Sequence, residues 1–140
     1  MLSKLTIIHR ADIRMITEII ENGEVEFLGE QRDFRRDPVL AEFLSEQARL
    51  AIAWVRLGAG QILAPHQHPI RTMLLACRGR AVVLDDGEIP VVEGDIILVP
   101  SMYRHGFRGE PPDGVDGLSI QFEERGIYED EHKPQVTFVK

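Results

Sequence analysis

The stretch Pro65-His66-Gln67-His68 places two histidines one residue apart in a segment of extended character. Side chains alternate between the two faces of a strand, so His66 and His68 are expected on one face, about 7 Å apart at their bases. A third histidine, His105, follows 37 residues after His68, behind the apolar run Asp95 to Pro100. This spacing predicts a metal site shared between two strands.

Glycines and a proline recur around the histidines at regular distances. The first set, separated by five, one, three and six residues, is Gly60, His66, His68, Thr72 and Gly79. The second set, separated by five and four residues, is Gly94, Pro100 and His105. The two sets resemble the paired cupin motifs, G(x)5HxH(x)3-4E(x)6G and G(x)5PxG(x)2H(x)3N.

The resemblance covers roughly residues 50 to 123 and implies an all-β fold, the double-stranded β-helix or jelly roll of the cupins. It also implies that His66, His68 and His105 bind one metal ion. The sequence departs from the motifs at three positions. Thr72 stands at the usual glutamate ligand, Met102 at a glycine and Gly109 at the closing asparagine.

Composition points to one domain without a nucleic-acid or membrane partner. A chain of 140 residues can bury a core of its own. The net charge of -7 opposes binding to nucleic acid and to anionic membranes. Cys77 is the only cysteine and no long apolar span occurs, so the sequence predicts a soluble, cytoplasmic protein without an intramolecular disulfide.

Residues 1–49 are expected to form an extension that packs on the barrel. Asp12 can cap a helix over Ile13 to Ile20, and Asn22-Gly23 is a stop signal. A short strand from Glu24 to Leu28 follows. Asp37-Pro38 then predicts the start of a second helix, which continues to Leu44.

Residues 50–140 show short apolar or alternating runs broken by glycine and proline, which is typical of an antiparallel barrel. The predicted strands are Leu50 to Leu57, Gln61 to Ala64, Thr72 to Cys77, Arg80 to Leu84, Ile89 to Val92, Asp95 to Val99, His105 to Arg108 and Gly117 to Phe122. Asp85-Asp86-Gly87 predicts a hairpin turn. A charged tail and one more edge strand, Val136 to Val139, complete the domain.

Strand parity suggests which other side chains face the metal. Tyr103 and Phe107 share parity with His105, which makes Tyr103 the candidate catalytic acid or base. Gln121 shares a face with Ser119 that lies toward either substrate or solvent. The predicted substrate-binding residues are Thr72, Phe107, Gln121 and Arg71, the last because an arginine at a barrel mouth can bind a carboxylate.

Three imidazoles without a carboxylate resemble the sites of cupin dioxygenases that cleave thiols or β-diketones. The first hypothesis is therefore a non-haem Fe(II) dioxygenase, in which an anionic small-molecule substrate completes the charge balance. Nitrogen-rich sites also accept Zn, Ni, Co, Cu and Mn, so one divalent ion is predicted with Fe(II) favoured.

Two alternatives stay open at this point. One is a non-redox cupin, a lyase, isomerase or polyketide cyclase in which a divalent metal polarises a carbonyl and Tyr103 moves a proton. The other is a non-catalytic cupin that binds a metal or small ligand. By resemblance a homodimer is expected, since the amphipathic N-terminal segments need an apolar surface to cover.

Overall fold

The computed structural model describes residues 4–45 and 49–140, which form two antiparallel sheets around one core. The strands are β1 (Ile16–Glu21), β2 (Glu24–Asp33), β3 (Ala51–Leu57), β4 (Ile62–Gln67), β5 (Thr72–Asp85), β6 (Gly87–Val92), β7 (Ile96–Val99), β8 (His105–Gly109), β9 (Val115–Gln121) and β10 (Thr137–Phe138). One helix, α1 (Pro38–Ser45), and two single 3-10 turns, Arg10–Asp12 and Phe34–Arg36, accompany them.

The two sheets share β5. Sheet A has the order β1-β2-β3-β9-β5-β7, and sheet B has the order β6-β5-β8-β4-β10. The first half of β5 pairs with β7 and β9, whereas its second half pairs with β6 and β8. Because one strand passes from sheet to sheet, the layers close into a barrel, and the predicted double-stranded β-helix is confirmed.

Gly79 lies where β5 crosses between the sheets. The register with β9 shifts between Ala76 and Arg78, and Gly79 has a φ of +84°. A methyl group at this position would lie 2.0 Å from the carbonyl oxygen of Gly114. Two separate strands were predicted here, but the bulge bends a single strand without ending it.

The predicted helix over Ile13 to Ile20 is wrong, because Ile16–Glu21 forms β1 of a β1–β2 hairpin and the residues before it are irregular. Asn22 and Gly23 have φ values of +52° and +80°, which is the backbone of a type I′ hairpin turn and not of a helix end. The isoleucines also favour a strand, since branching at Cβ restricts their rotamers in a helix. Pairing with β2 therefore determines the conformation of this segment.

The second predicted helix is confirmed as α1. The Asp37 carboxylate caps it by accepting hydrogen bonds from the backbone N–H groups of Val39 (2.9 Å) and Leu40 (3.0 Å). No helix within residues 4–45 or 49–140 is long and apolar enough to cross a membrane.

The N-terminal region is continuous with the barrel, since β2 pairs with β3 along residues 30–33 and 53–56. The division into an extension of residues 1–49 and a barrel of residues 50–140 stays a prediction. At the other end, the segment after β9 folds back over the barrel. It buries Ile127, Tyr128 and Val136, and β10 then pairs with β4.

Asp33 is a buried carboxyl group at the end of β2, only 3% exposed. It accepts a hydrogen bond from the backbone N–H of Arg35 (2.9 Å), which opens the second 3-10 turn. Burial raises the pKa of Asp33 from 3.8 to about 6, against the opposing effect of this hydrogen bond. The ionised carboxylate therefore lowers the stability of the fold above pH 6, and this penalty disappears as the pH falls toward 3.8.

We expect Asp33→Asn to raise the free energy of unfolding at pH 7.5 by about 1–3 kcal/mol, since it removes the buried charge and keeps the capping oxygen. At pH 4, where Asp33 of the folded protein is protonated, the gain should almost vanish. Urea unfolding at both pH values measures the difference. Asp37→Asn is the matched control, because asparagine caps a helix as well as aspartate does. An equal gain at both pH values would contradict the prediction.

Candidate metal centre

A bulge between β4 and β8 positions the first pair of histidines. The register shifts between Leu63 and His66, so that His66 lies opposite His105. Gly106 permits this close approach, because a methyl group there would lie 2.9 Å from the carbonyl oxygen of Leu63. Pro65 accounts for the bulge, because proline has no backbone N–H group to donate to a regular ladder of strand hydrogen bonds.

His68 completes a group of three buried imidazoles, each 3% exposed. One ring nitrogen from each residue lies within 4.8 Å of the others. The ring centroids of His66 and His105 are 4.4 Å apart, and that of His68 lies 5.8 Å and 5.1 Å from them. The sequence prediction that these three histidines converge agrees with this geometry.

The backbone holds all three rings in the same tautomer. The Nδ1 atoms of His66, His68 and His105 lie 2.7, 2.6 and 2.8 Å from the carbonyl oxygens of Ala64, Ile70 and Tyr103. A carbonyl oxygen only accepts, so each Nδ1 carries the proton and each Nε2 keeps its lone pair. This is the arrangement that fixes and strengthens a metal-binding imidazole.

Burial also keeps the rings neutral. Burial first, and the proximity of His105 second, lower the pKa of His66 to about 3 and that of His68 to about 4. Burial also lowers the pKa of His105, although the hydrogen bond to the Tyr103 carbonyl oxygen acts to raise it. Near neutral pH a metal ion therefore does not have to displace a proton from the Nε2 atoms of these histidines.

These three residues fit a divalent metal ion. They supply three neutral nitrogen donors, and no carboxylate lines the surrounding cavity among the residues that the structure describes. An ion held in this way keeps further coordination positions for small molecules, as catalytic sites do and structural sites do not.

The histidines line a cavity of about 90 Å³ inside the barrel. Most of its walls are apolar, and its polar lining residues, besides the histidines, are Gln31, Arg56, Thr72, Ser119, Gln121 and Tyr128. The Arg56 guanidinium is neutralised by Asp116 at 2.9 Å. The cavity thus suits a small, largely apolar molecule.

Three of the predicted substrate-binding residues, Thr72, Phe107 and Gln121, line this cavity. The ring of Phe107 packs edge-on against His105, with 5.4 Å between the centroids. The Gln121 amide is held at both ends: its Nε2 donates to the Ser119 hydroxyl (3.0 Å), and its Oε1 accepts from the backbone N–H of Ile127 (2.7 Å). Gln121 therefore faces inward and ties the C-terminal segment to β9.

Tyr103 does not line the cavity, contrary to the parity argument. Its side chain is exposed and donates a hydrogen bond to the Asp85 carboxylate (2.7 Å). The reason is that β8 begins only at His105, so strand alternation does not reach Tyr103, which lies in the preceding turn, where Met102 has a φ of +61°. This is the glycine position of the second motif, so the turn keeps its conformation although the residue differs.

Arg71 also lies outside the cavity lining. It is exposed, and its guanidinium stacks 4.7 Å from the ring centre of Phe122. Three polar residues of the cavity were not predicted from the sequence, namely Gln31, Arg56 and Tyr128. Tyr128 follows β9 in an irregular, charged segment. No periodicity marks it, and only its single aromatic ring among acidic residues could have drawn attention to it.

No protein-family model and no curated protein sequence matches this chain. Among solved structures, the chain is similar to the polyketide cyclase RemF from Streptomyces resistomycificus, with a TM-score of 0.68 and 16% identity over 98% of this chain and 87% of that one. A cupin 2 conserved barrel domain protein from Rhodopseudomonas palustris is similar at a TM-score of 0.58 and 16% identity, over 80% and 74% of the two chains. The chain has the cupin fold.

The chain is also similar to the oxalate decarboxylase of Bacillus subtilis, with a TM-score of 0.64 and 19% identity. The similarity covers 92% of this chain but only 30% of the decarboxylase. At these identities the comparisons show the fold alone. The histidine group is the feature that bears on chemistry, because it is built from this chain's own residues.

Proposed function

We propose that this cupin is a metal-dependent enzyme that binds a small, largely apolar carbonyl compound and catalyses a non-redox reaction such as cyclisation, elimination or isomerisation. The observation that carries the proposal is the group of three neutral imidazoles, held in one tautomer, in the wall of an apolar cavity. His66, His68 and His105 would hold the ion. A divalent metal supplies Lewis-acid polarisation of a carbonyl oxygen when bound.

The other cavity residues have separate roles in this proposal. Leu63 and Phe107 contribute apolar walls that exclude water from the bound molecule. The Thr72 hydroxyl, in the position of the cupin carboxylate, offers a neutral hydrogen bond to a substrate oxygen. Gln121 is a positioning residue, because both ends of its amide are already bonded within the protein.

Similarity to RemF supports the cyclase reading over the others. That structure is named a polyketide cyclase and matches this cupin along almost the whole of both chains. The oxalate decarboxylase matches over a smaller part of its own length. Neither of these names is that of an oxygenase.

A second candidate, the Fe(II) dioxygenase, rests on the charge of the site. Thr72 stands where a carboxylate ligand is usual, so three neutral donors would leave the ion's two positive charges uncompensated by the protein. A chelating anionic substrate would restore the balance, which is the arrangement that a β-diketone or thiol dioxygenase needs.

One preparation of metal-free protein distinguishes the two functions. Half is loaded with zinc and half with Fe(II), and each is incubated with β-diketones and longer poly-β-ketones, once in air and once in the absence of oxygen. We expect the zinc protein to convert substrate to a product that contains no added oxygen atom, detected by mass spectrometry. Metal-free protein is the control.

Turnover that requires both iron and oxygen would replace this proposal by the dioxygenase. Metal binding without turnover by either preparation would instead favour the non-catalytic binding protein.

The predicted homodimer also belongs here as a proposal. The outer face of sheet A carries a cross-strand row of Leu98, Met73, Ile120 and Ile52. Ile96 and Leu98 on β7 are 60% and 72% exposed, so a second copy would cover apolar surface. Light scattering that returns the mass of one chain would contradict it. Cytoplasmic location stays a prediction.

A further inference from the structure

Phe138, on the two-residue strand β10, packs against one of the three histidines. β10 pairs with β4 and β4 pairs with β8, so Phe138, His66 and His105 lie directly opposite one another on three neighbouring strands. Side chains in such a row point to the same face of the sheet and contact each other. The ring centroid of Phe138 lies 5.3 Å from that of His66, and that of His105 lies 4.4 Å from it. The imidazole of His66 is therefore placed between two other rings.

The position of His66 on its strand does not by itself fix the orientation of the ring. His66 lies at the end of the bulge, where the register between β4 and β8 shifts. The hydrogen bond from Nδ1 to the Ala64 carbonyl oxygen fixes one atom of the ring, but a ring fixed at one atom can still turn about that contact. Such a turn moves Nε2 away from the other two imidazoles. A neighbouring ring on each side prevents it, because closely packed side chains cannot rotate past one another.

The backbone around Phe138 is tied to the metal centre. The Phe138 N–H donates to both oxygens of the Glu21 carboxylate (3.1 and 3.0 Å). The next residue, Val139, donates through its N–H to the carbonyl oxygen of Pro65 (2.9 Å) and accepts at its own carbonyl oxygen from Nε of Arg104 (2.6 Å). The last two partners are the residues that immediately precede two of the three histidines. The Phe138 ring is therefore held in register with the ligands that it is to orient.

An ion pair at Lys140 holds the same segment against the β1–β2 hairpin. The Lys140 ammonium pairs with the carboxylate of Glu26, which is only 3% exposed, and lies 3.9 Å from that of Glu24. A buried carboxylate without a cation beside it is costly, so this pair opposes release of the strand. The segment that carries Phe138 is thus a fixed part of the barrel.

We propose that Phe138 is a positioning residue of the metal centre, whose ring keeps the Nε2 atom of His66 directed at the ion. The ring acts through His66, because Phe138 is not among the residues that line the cavity in the described part of the chain. The inference rests on the proposed function in one respect, that the three histidines bind a divalent metal. It extends the site to a strand that lies outside both sequence motifs.

Zinc affinity tests the inference. It is measured by competition with a chromogenic chelator on the full-length wild type, Phe138→Leu and Phe138→Ala. We expect Phe138→Ala to bind zinc about tenfold more weakly, which is the usual effect of removing a group that orients a metal ligand. Phe138→Leu keeps much of the apolar contact, so its affinity should lie between those of Phe138→Ala and wild type.

Val136→Ala is the matched control for a purely structural role. Val136 is buried in the core against which Phe138 packs, but it lies outside the row of paired residues. Urea unfolding of the metal-free proteins should show a loss of stability in both alanine variants, because each removes apolar contacts. Only substitution of Phe138 should also lower zinc affinity. An equal loss of zinc affinity in Val136→Ala would mean that Phe138 contributes packing alone, and would overturn the inference. If Phe138→Ala does not fold, the comparison of Phe138→Leu with Val136→Ala decides.

The outcomes distinguish this inference from the proposed function. Equal zinc affinities of wild type and both Phe138 variants overturn the role of Phe138 and leave the metal-dependent function standing. Weaker zinc binding by the Phe138 variants, with no turnover of any carbonyl compound by the zinc-loaded wild type, supports Phe138 and counts against the enzyme. If wild type binds no zinc, both are overturned.

Discussion

His66→Ala is expected to lower the affinity of the protein for zinc by more than about 100-fold, because it removes one of three nitrogen ligands. The centroid of its ring lies 4.4 Å from that of His105 and 5.8 Å from that of His68. Two imidazoles do not hold a divalent ion against dialysis. Metal content after loading and dialysis, together with calorimetric titration, measures the loss.

The control for this experiment is His132→Ala, which removes an exposed histidine far along the chain from both motifs. Because alanine leaves a cavity in place of a buried ring, His66→Asn provides a second variant, whose side-chain amide nitrogen takes the place of Nδ1 and can donate to the Ala64 carbonyl oxygen. Excess zinc should raise the unfolding temperature of wild type and of His132→Ala, but of neither His66 variant. Full metal content in both His66 variants would refute a site built on these residues.

Gly79→Ala is expected to lower the free energy of unfolding by about 3–5 kcal/mol, a large share of the stability of a small domain. Two effects add. An alanine with a φ of +84° costs about 1–2 kcal/mol, and its methyl group would lie 2.0 Å from the Gly114 carbonyl oxygen. That oxygen accepts a hydrogen bond from the backbone N–H of Arg80. It therefore cannot move away without breaking this bond, which holds β5 where it crosses between the sheets.

Gly60→Ala separates the two effects. Gly60 has a similar φ of +79°, but a methyl group there would meet no atom within 4 Å. We therefore expect this variant to lose only about 1–2 kcal/mol. Urea unfolding of both variants gives the comparison. Similar losses would mean that backbone conformation alone explains the glycine and that the close approach at the crossing does not matter.

The motif glycines explain why the fold was predictable from the sequence. Gly60, Gly79 and Gly94 all have positive φ, a conformation that other residues rarely adopt. Their spacing therefore records the positions of turns and of the β5 crossing. Strand alternation places the histidines that lie between these glycines on one face, so their convergence could be predicted from the sequence.

Local signals failed where two conformations were both compatible with the residues. The segment Ile16–Glu21 shows isoleucines that match a helical period, yet it forms a strand because β2 offers it hydrogen bonds and an apolar face. In the same way, strand parity could not be carried back from His105 to Tyr103, because β8 begins at His105 and Tyr103 belongs to the turn before it.

The cupin barrel could be predicted from the amino-acid sequence, together with the positions of its turns and the three histidines that share one face, because these depend on spacing and on backbone conformations local to each residue. Which tyrosine reaches the cavity depends instead on how distant parts of the chain pack together. Tyr128 arrives there because the segment after β9 folds back over the barrel, where Arg36, 92 residues earlier in the chain, donates a hydrogen bond to the Tyr128 carbonyl oxygen. Such a contact has no period and no motif, since it depends on the path of the chain through space.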